Sequence, residues 1–254
     1  MTTRKNIKIT GVIPARWQSS RFPGKPVVEI LGKPLLHWVI ERVRQAEMLD
    51  GLLVATDDTR IRECALAVGA AVVMTRSNHP SGTDRIAEAV AETDADAVIN
   101  IQGDEPLIAP ALIDEMAATL TAEDGKWDMV TAAEPISDSS DIVNPDIVKV
   151  VFNRYGQALY FSRAVIPFDR DTDSRNERLY WRHIGIYGYT HDCLIRFVAT
   201  RPCLLEQTEK LEQLRALDMG CRIKVLETQD ASVGVDRPED IKKVEELLRK
   251  SVML

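Results

Sequence analysis

Three short stretches of this chain carry side chains suited to handling a polyphosphate. The first, Ala15 to Pro26 (A-R-W-Q-S-S-R-F-P-G-K-P), holds Arg16, Arg21 and Lys25, with no acidic residue anywhere between Arg4 and Val28. In a protein of net charge -7 this is a local concentration of cations, either an anion site or a solvated basic turn. As an anion site it is well equipped. Gly24 allows backbone N–H groups close to a phosphate, and each cation about 4 Å from an oxygen contributes at most roughly 4 kcal/mol at an effective dielectric of 20. Two common phosphate loops are absent: Lys25 is followed by Pro26, so there is no G-x-x-x-x-G-K-[ST], and no G-x-G-x-x-G follows a strand.

The second stretch is N-I-Q-G-D-E-P, Asn100 to Pro106, with Asp104 and Glu105 just past an apolar run. Magnesium takes one or two carboxylates and completes its shell with phosphate oxygens and water, so Asp104 facing a triphosphate makes chemical sense. A turn-forming Asp is the simpler alternative. The third is S-V-G-V-D-R-P-E-D, Ser232 to Asp240, where Asp236 precedes Pro238 and is either a helix N-cap or a second magnesium ligand. Asp169, Asp171 and Asp173 imitate the start of a calcium loop, but Ser174 stands where Gly is required and Tyr180 where the closing Glu belongs, which leaves a solvated loop.

These stretches need a frame. Residues 7–13 read as a first strand and 34–46 as a helix with Pro34 at its first position. Apolar runs at 52–55, 71–74 and 97–101 then alternate with helical stretches at 59–68, 84–92 and 110–120. That is the pattern of a doubly wound, mostly parallel α/β sheet, and it puts the Ala15–Pro26 loop and Asp104 at the carboxyl edge, where such folds bind ligands. From about 135 to 200 the rhythm changes. Strands are expected at 147–152 and 182–189, and ten of the fourteen aromatic residues fall between Phe152 and Phe197, as in a smaller mixed subdomain or a subunit interface. Helix 205–217, strand 223–227 and helix 238–248 follow. The expectation is one domain over 1–254 with an inserted subdomain at 135–200.

Composition excludes several classes. The acidic balance argues against bulk nucleic-acid binding. No apolar run approaches the roughly 18 residues of a membrane span, and the first residues lack a signal-peptide core, so a cytoplasmic protein is expected. Cys64, Cys193, Cys203 and Cys221, with His37, His79, His183 and His191, form neither a C-x-x-C pair nor an H-E-x-x-H, so no disulfide framework or zinc site is signalled.

In order along the chain, I-P-A-R-W-Q-S-S-R-F-P-G-K-P, V-A-T-D-D, S-G-T-D-R, Q-G-D-E-P, A-L-Y-F-S-R-A-V-I-P, R-H-I-G-I-Y-G-Y, L-E-Q-L-R-A-L and G-V-D-R-P-E-D resemble the 3-deoxy-manno-octulosonate (Kdo) cytidylyltransferases, the CMP-Kdo synthetases. The resemblance spans almost the whole chain. It implies a nucleotide-diphospho-sugar transferase-like fold with a dimerisation subdomain, and a cytoplasmic homodimer. It also implies transfer of a cytidylyl group from CTP to Kdo with release of pyrophosphate, for lipopolysaccharide biosynthesis, with Mg2+ as cofactor.

On that pattern Arg16 and Lys25 are catalytic triphosphate-loop residues, and Asp104 and Asp236 catalytic magnesium ligands. Ala15, Ala55, Asp57, Arg76, Ser81 and Gly82 complete the nucleotide site, and Gln102, Arg163, His183, Tyr187 and Glu212 bind the sugar. By residue type alone His183 reads equally as a core histidine and Glu212 as a helix-surface carboxylate. Trp17, Phe22 and Phe168 stand where the family often has Tyr, Leu and Trp, and these departures leave the charged positions intact. The 8-amino analogue of Kdo is the alternative substrate. Rival readings are a cytidylyltransferase for sialic acid and a silent sugar-nucleotide-binding regulator.

Overall fold

Strand β1 (Ile9–Ala15) is buried along most of its length, with Val12 and Ile13 fully enclosed. In the computed structural model, which describes residues 7–18, 22–122, 125–170, 180–229 and 233–252, a 3-10 turn (Lys25–Val27) follows the first loop. A two-stranded hairpin comes next, β2 (Glu29–Ile30) and β3 (Lys33–Pro34). Its turn residues Leu31 and Gly32 have φ of 52° and 73°, the left-handed pair that a two-residue hairpin demands.

Helix α1 (Leu35–Val43) buries Leu35, Leu36, Val39, Ile40 and Val43, a single stripe at helical spacing. Pro34 is its N-cap and not its first helical residue, because it also belongs to β3. Then come β4 (Gly51–Thr56), α2 (Thr59–Ala67), β5 (Ala71–Met74), α3 (Gly82–Val90), β6 (Ala97–Asn100) and α4 (Pro110–Leu120). Asp58 caps α2 by accepting from Arg60 N, and Ser81 caps α3 by accepting from Asp84 N, so α3 starts two residues earlier than its apolar pattern suggests. The four longer strands are parallel in the order β6-β1-β4-β5.

Two compact units divide the chain, one comprising 1–118 with 230–254 and the other 119–229. The expected 135–200 segment lies inside the second. There β7 (Met129–Pro135) is followed by α5 (Ser139–Val143), β8 (Lys149–Phe152), β9 (Ala158–Ser162), β10 (Trp181–Thr190), α6 (His191–Ala199), α7 (Leu204–Glu209), α8 (Gln213–Asp218) and β11 (Ile223–Glu227). Strand β7 pairs parallel with β11 and antiparallel with β10, while β8 pairs with β9 and touches β10 through Arg182.

The long helix expected over 205–217 is two helices. Lys210 adopts a left-handed conformation (φ 56°) that ends α7 and leaves Glu212 as the N-cap of α8. The break is held by a buried pair, in which Arg215 donates through Nε and Nη2 to the two Glu206 carboxylate oxygens at 2.7 and 2.5 Å. Helix α9 (Asp240–Val252) closes the chain and belongs to the first unit.

Candidate functional site

Strand order reverses beside β1. The chain proceeds outward to β4 and β5, then crosses back to place β6 on the opposite side, so the loops leaving β1 and β6 flank a topological switch point. Their contact depends on one glycine: a Cβ on Gly103 would lie 3.1 Å from the Pro14 carbonyl oxygen and 3.3 Å from Ile13 Cγ2. The close approach lets Lys25, from the β1 loop, form an ion pair with Asp104 from the β6 loop.

Asp236 reaches the same place by a different route. Val235 is fully buried in an apolar cluster with Ile30, Leu35, Val244 and Leu248, against which Phe22 also packs, and its N–H donates to the Asp104 carbonyl at 2.9 Å. The Asp236 carboxylate then lies 3.7 Å from Lys25 Nζ. Asp240 Oδ2 accepts from the N–H groups of Asp236 and Arg237, at 2.9 and 2.8 Å, which fixes the backbone that carries the Asp236 carboxylate.

Lys25 therefore sits between two carboxylates contributed by distant parts of the sequence. A donor set of carboxylate oxygens already converging on a positive charge suits a hard divalent cation such as magnesium. Among the described residues no group of three or more His, Cys, Asp or Glu side chains converges, so such an ion would draw its other ligands from phosphate and water.

The remaining residues expected at a nucleotide site line up along the first unit. Ala15 and Ala55 are buried at the carboxyl ends of β1 and β4, and Arg16 directly follows Ala15. Asp57 follows β4, its Oδ1 3.4 Å from Nη1 of the fully buried Arg85. Burial holds the Arg85 pKa below its ordinary value, with the Arg16 charge adding to that and Asp57 opposing it. Arg76 is exposed and clasped by Glu88, which accepts from its Nε at 2.8 Å and also takes His79. Ser81 donates to Asp84 Oδ2 at 2.7 Å, and Gly82 brings the α3 N-terminus against Pro14. Gln102 is half-buried one residue before Gly103. Gly24, expected to make room for a phosphate, is left-handed (φ 71°) and packs against the Trp17 ring. Arg21, Ser232 and the Asp171–Asp173–Ser174 part of the calcium-like stretch lie outside the described residues.

In the second unit a bulge organises the sugar-side candidates. Pairing of β10 with β7 shifts between Ile184 and Tyr187, which leaves surplus carbonyls on β10. The buried Thr131 hydroxyl faces two of them, Ile186 O at 2.8 Å and Ile184 O at 3.2 Å, and lies 2.9 Å from His183 Nε2. Because that hydroxyl proton goes to a carbonyl, the contact from His183 is an Nε2–H donor. Burial drives the His183 pKa down to about 3, so the ring is neutral. His183 stacks edge-on against Phe161 and lies 5.5 Å, ring to ring, from Tyr187. Burial, assisted by the Glu212 charge, raises the Tyr187 phenol well above its usual range and keeps it a donor.

Arg163 is braced by donation from Nε to Glu209 O at 2.8 Å and from Nη1 to Pro145 O at 3.0 Å. Beside it the buried Lys149 ammonium donates to the carbonyls of Asn144, Ile147 and Arg163 at 2.6 to 3.0 Å. His183, Tyr187 and Glu212 are thus one neighbourhood, and Arg163 is held by its own set of carbonyls.

Sequence reasoning missed Gln213. It is 3% exposed, its Oε1 accepts from the Tyr187 hydroxyl at 3.3 Å, and its Nε2 has no hydrogen-bond partner among the described residues. A buried amide donor without an acceptor is costly unless a ligand or water supplies one. Its place beside Glu212 in L-E-Q-L-R-A-L was the available signal.

A parallel sheet with a cationic loop and an acidic loop at its switch point has the arrangement that nucleotidyl transfer requires. The family model described as cytidylyltransferase matches residues 10–224. More narrowly, the chain belongs to the 3-deoxy-manno-octulosonate cytidylyltransferase family: it is 47% identical over 252 residues to the protein of that name from Geobacter metallireducens, covering 96% of this chain and 99% of that one. A solved structure of CMP:2-keto-3-deoxy-manno-octonic acid synthetase complexed with CTP superposes with a TM-score of 0.90 at 38% identity, covering 96% of this chain and 99% of that chain. The 4-diphosphocytidyl-2C-methyl-D-erythritol synthase from Anaerococcus prevotii, at 14% identity and a TM-score of 0.65, shares the fold.

Proposed function

We propose that the protein transfers the cytidylyl group of CTP to the anomeric hydroxyl of Kdo, giving CMP-Kdo and pyrophosphate for lipopolysaccharide biosynthesis. One observation carries the reading: Lys25 meets both Asp104 and Asp236 at the switch point of a chain whose relatives bear that name. CTP being a cytoplasmic nucleotide, the reaction belongs in the cytoplasm. We also propose a homodimer, supported by apolar side chains left open on the second unit: Leu159, Phe168 and Leu204 are 59, 85 and 78% exposed.

The sugar oxygen attacks the α-phosphorus, the bond from that phosphorus to the bridging oxygen of the β-phosphate breaks, and pyrophosphate leaves. Such transfer depends on positioning and charge neutralisation more than on covalent help, in keeping with a site built from cations and carboxylates. Arg16 and Lys25 neutralise the triphosphate. Asp104 and Asp236 would hold magnesium, which supplies orientation of the α-phosphate and acidifies the sugar hydroxyl. Ala55, Asp57, Arg76, Ser81 and Gly82 line the cytidine side, with Asp57 steadied by Arg85.

On the sugar side Arg163 meets the Kdo carboxylate, while Gln102, neutral His183, Tyr187, Glu212 and the amide of Gln213 meet its hydroxyls. The test is pyrophosphate release from CTP with magnesium and, in separate reactions, Kdo, its 8-amino analogue or sialic acid. Release with Kdo is expected at the highest kcat/KM. A clear preference for either other sugar overturns the substrate assignment, and no release with any sugar overturns the activity.

A further inference from the structure

The loop bearing Lys25 is propped from behind by an aromatic–cation stack that the reaction does not use. The Arg60 guanidinium carbon lies 3.2 Å from the Trp17 ring centroid. Arg60 cannot swing freely, since its Nε and Nη2 donate to the two oxygens of Asp58 at 2.9 and 2.6 Å while the same carboxylate caps α2 through Arg60 N. Trp17 also meets Gly24, whose missing Cβ would stand 3.1 Å from Trp17 Cζ2 and whose N–H donates to the Trp17 carbonyl at 2.9 Å. Gly24 in turn opens the 3-10 turn that begins at Lys25, with Val27 N donating to Gly24 O at 3.0 Å. The first turn of α2 is therefore connected to the Lys25 backbone through one ring.

We propose that Trp17 and Arg60 are positioning residues that set the affinity for CTP by fixing where the Lys25 backbone stands. The inference rests on the reading of this loop as the triphosphate site. Arg60 has its charge matched by Asp58, so it adds little net attraction for phosphate, and its side chain is 56% exposed, so it contributes little to the core. What it supplies is a flat surface against the ring. Loss of that surface lets the loop choose among backbone positions, and the binding-competent one must then be selected at the expense of affinity.

The test measures KM and kcat for CTP in Arg60→Ala, Arg60→Lys, Trp17→Leu and Trp17→Tyr. Arg60→Ala and Trp17→Leu are expected to raise the KM for CTP about three- to tenfold while kcat stays within about twofold and the melting temperature is unchanged. Trp17→Tyr keeps a ring and stays near wild type. Arg60→Lys keeps the charge but lacks the planar bidentate fork, and behaves like Arg60→Ala. The double variant Trp17→Leu/Arg60→Ala is no worse than either single one, because both remove the same stack.

Tryptophan emission of the ligand-free protein changes in Arg60→Ala, and that change vanishes in a Trp17→Tyr background. An unchanged KM for CTP in Arg60→Ala overturns the proposal, and so does full recovery in Arg60→Lys, which would make Arg60 a phosphate contact. Failure of the underlying reading is distinct, since wild-type protein would then release no pyrophosphate from CTP.

Discussion

Val235 donates its backbone N–H to the carbonyl oxygen of Asp104 at 2.9 Å. The bond joins the segment before α9 to the loop after β6 and fixes the residue next to Val235 relative to the residue that accepts. Asp104 and Asp236 are thereby set by backbone, not by their flexible carboxylates, which is the kind of support that a site working by electrostatic preorganisation requires.

Asp104→Asn keeps the size and the backbone bond but removes the charge. Turnover is expected to fall at least about 100-fold, with the melting temperature unchanged within a few degrees, since the side chain is partly solvated. Steady-state pyrophosphate release and a thermal melt check both. Activity near wild type in this variant removes Asp104 from the metal-binding role.

Gly103→Ala tests the close approach of the two loops. The added methyl group meets backbone at 3.1 Å, and the Pro14 carbonyl belongs to a central strand that cannot easily yield. Destabilisation of about 1 kcal/mol or more is expected from the overpacking, together with a drop in kcat larger than the change in stability would produce. Urea unfolding and kinetics on the same preparation decide it, and an alanine variant with full activity shows that the approach is not required.

His183 makes stability depend on pH in a defined window. Its folded pKa of about 3 lies below the 6.5 of a free histidine, so between those values the unfolded chain binds a proton that the folded chain does not. Stability contributed by the neutral ring is fully present above pH 6.5 and is lost as the pH falls toward 3, at up to about 1.4 kcal/mol per pH unit. Urea midpoints of wild type and His183→Gln, compared at pH 7.5, 6 and 5, should diverge in slope below 6.5. Parallel slopes would mean that the ring is protonated or solvated in the native protein.

Glu206→Ala strips Arg215 of its carboxylate in a buried setting and is expected to cost about 3–5 kcal/mol. Because this pair spans the Lys210 break that places Glu212 and Gln213, the surviving folded enzyme should show a raised KM for Kdo and an unchanged KM for CTP. An equal rise in both points to general loosening.

The alternating apolar runs located β5, β11 and α4 to the residue, because a short run bounded by polar residues has few alternative placements. The Lys25 loop and both aspartates were legible for a similar reason: charge types at a strand end are written in the sequence. The break at Lys210 was not. Lys is an ordinary helix former, and the left-handed residue is favoured by contacts that form only in the fold, among them the Glu206–Arg215 pair across the break. Likewise β7 carries Met129, Val130, Thr131, Ala132 and Ala133 all buried, so no alternation marks it as a strand. The bulge in β10 and the Gln213 Nε2 left without an acceptor among the described residues exist only once two strands and a helix have met.

The fully buried Val235 has a consequence for synthesis on the ribosome. A nascent chain that has emerged only as far as β11 already contains Lys25 and Asp104, yet it lacks Asp236, Val235 and the helix whose Val244 and Leu248 pack with Val235. Pairing segments so remote in sequence is among the slower events of folding. Asp236 therefore joins Lys25 and Asp104 late, and a chain that has emerged only as far as β11 holds the Lys25–Asp104 pair without its second carboxylate.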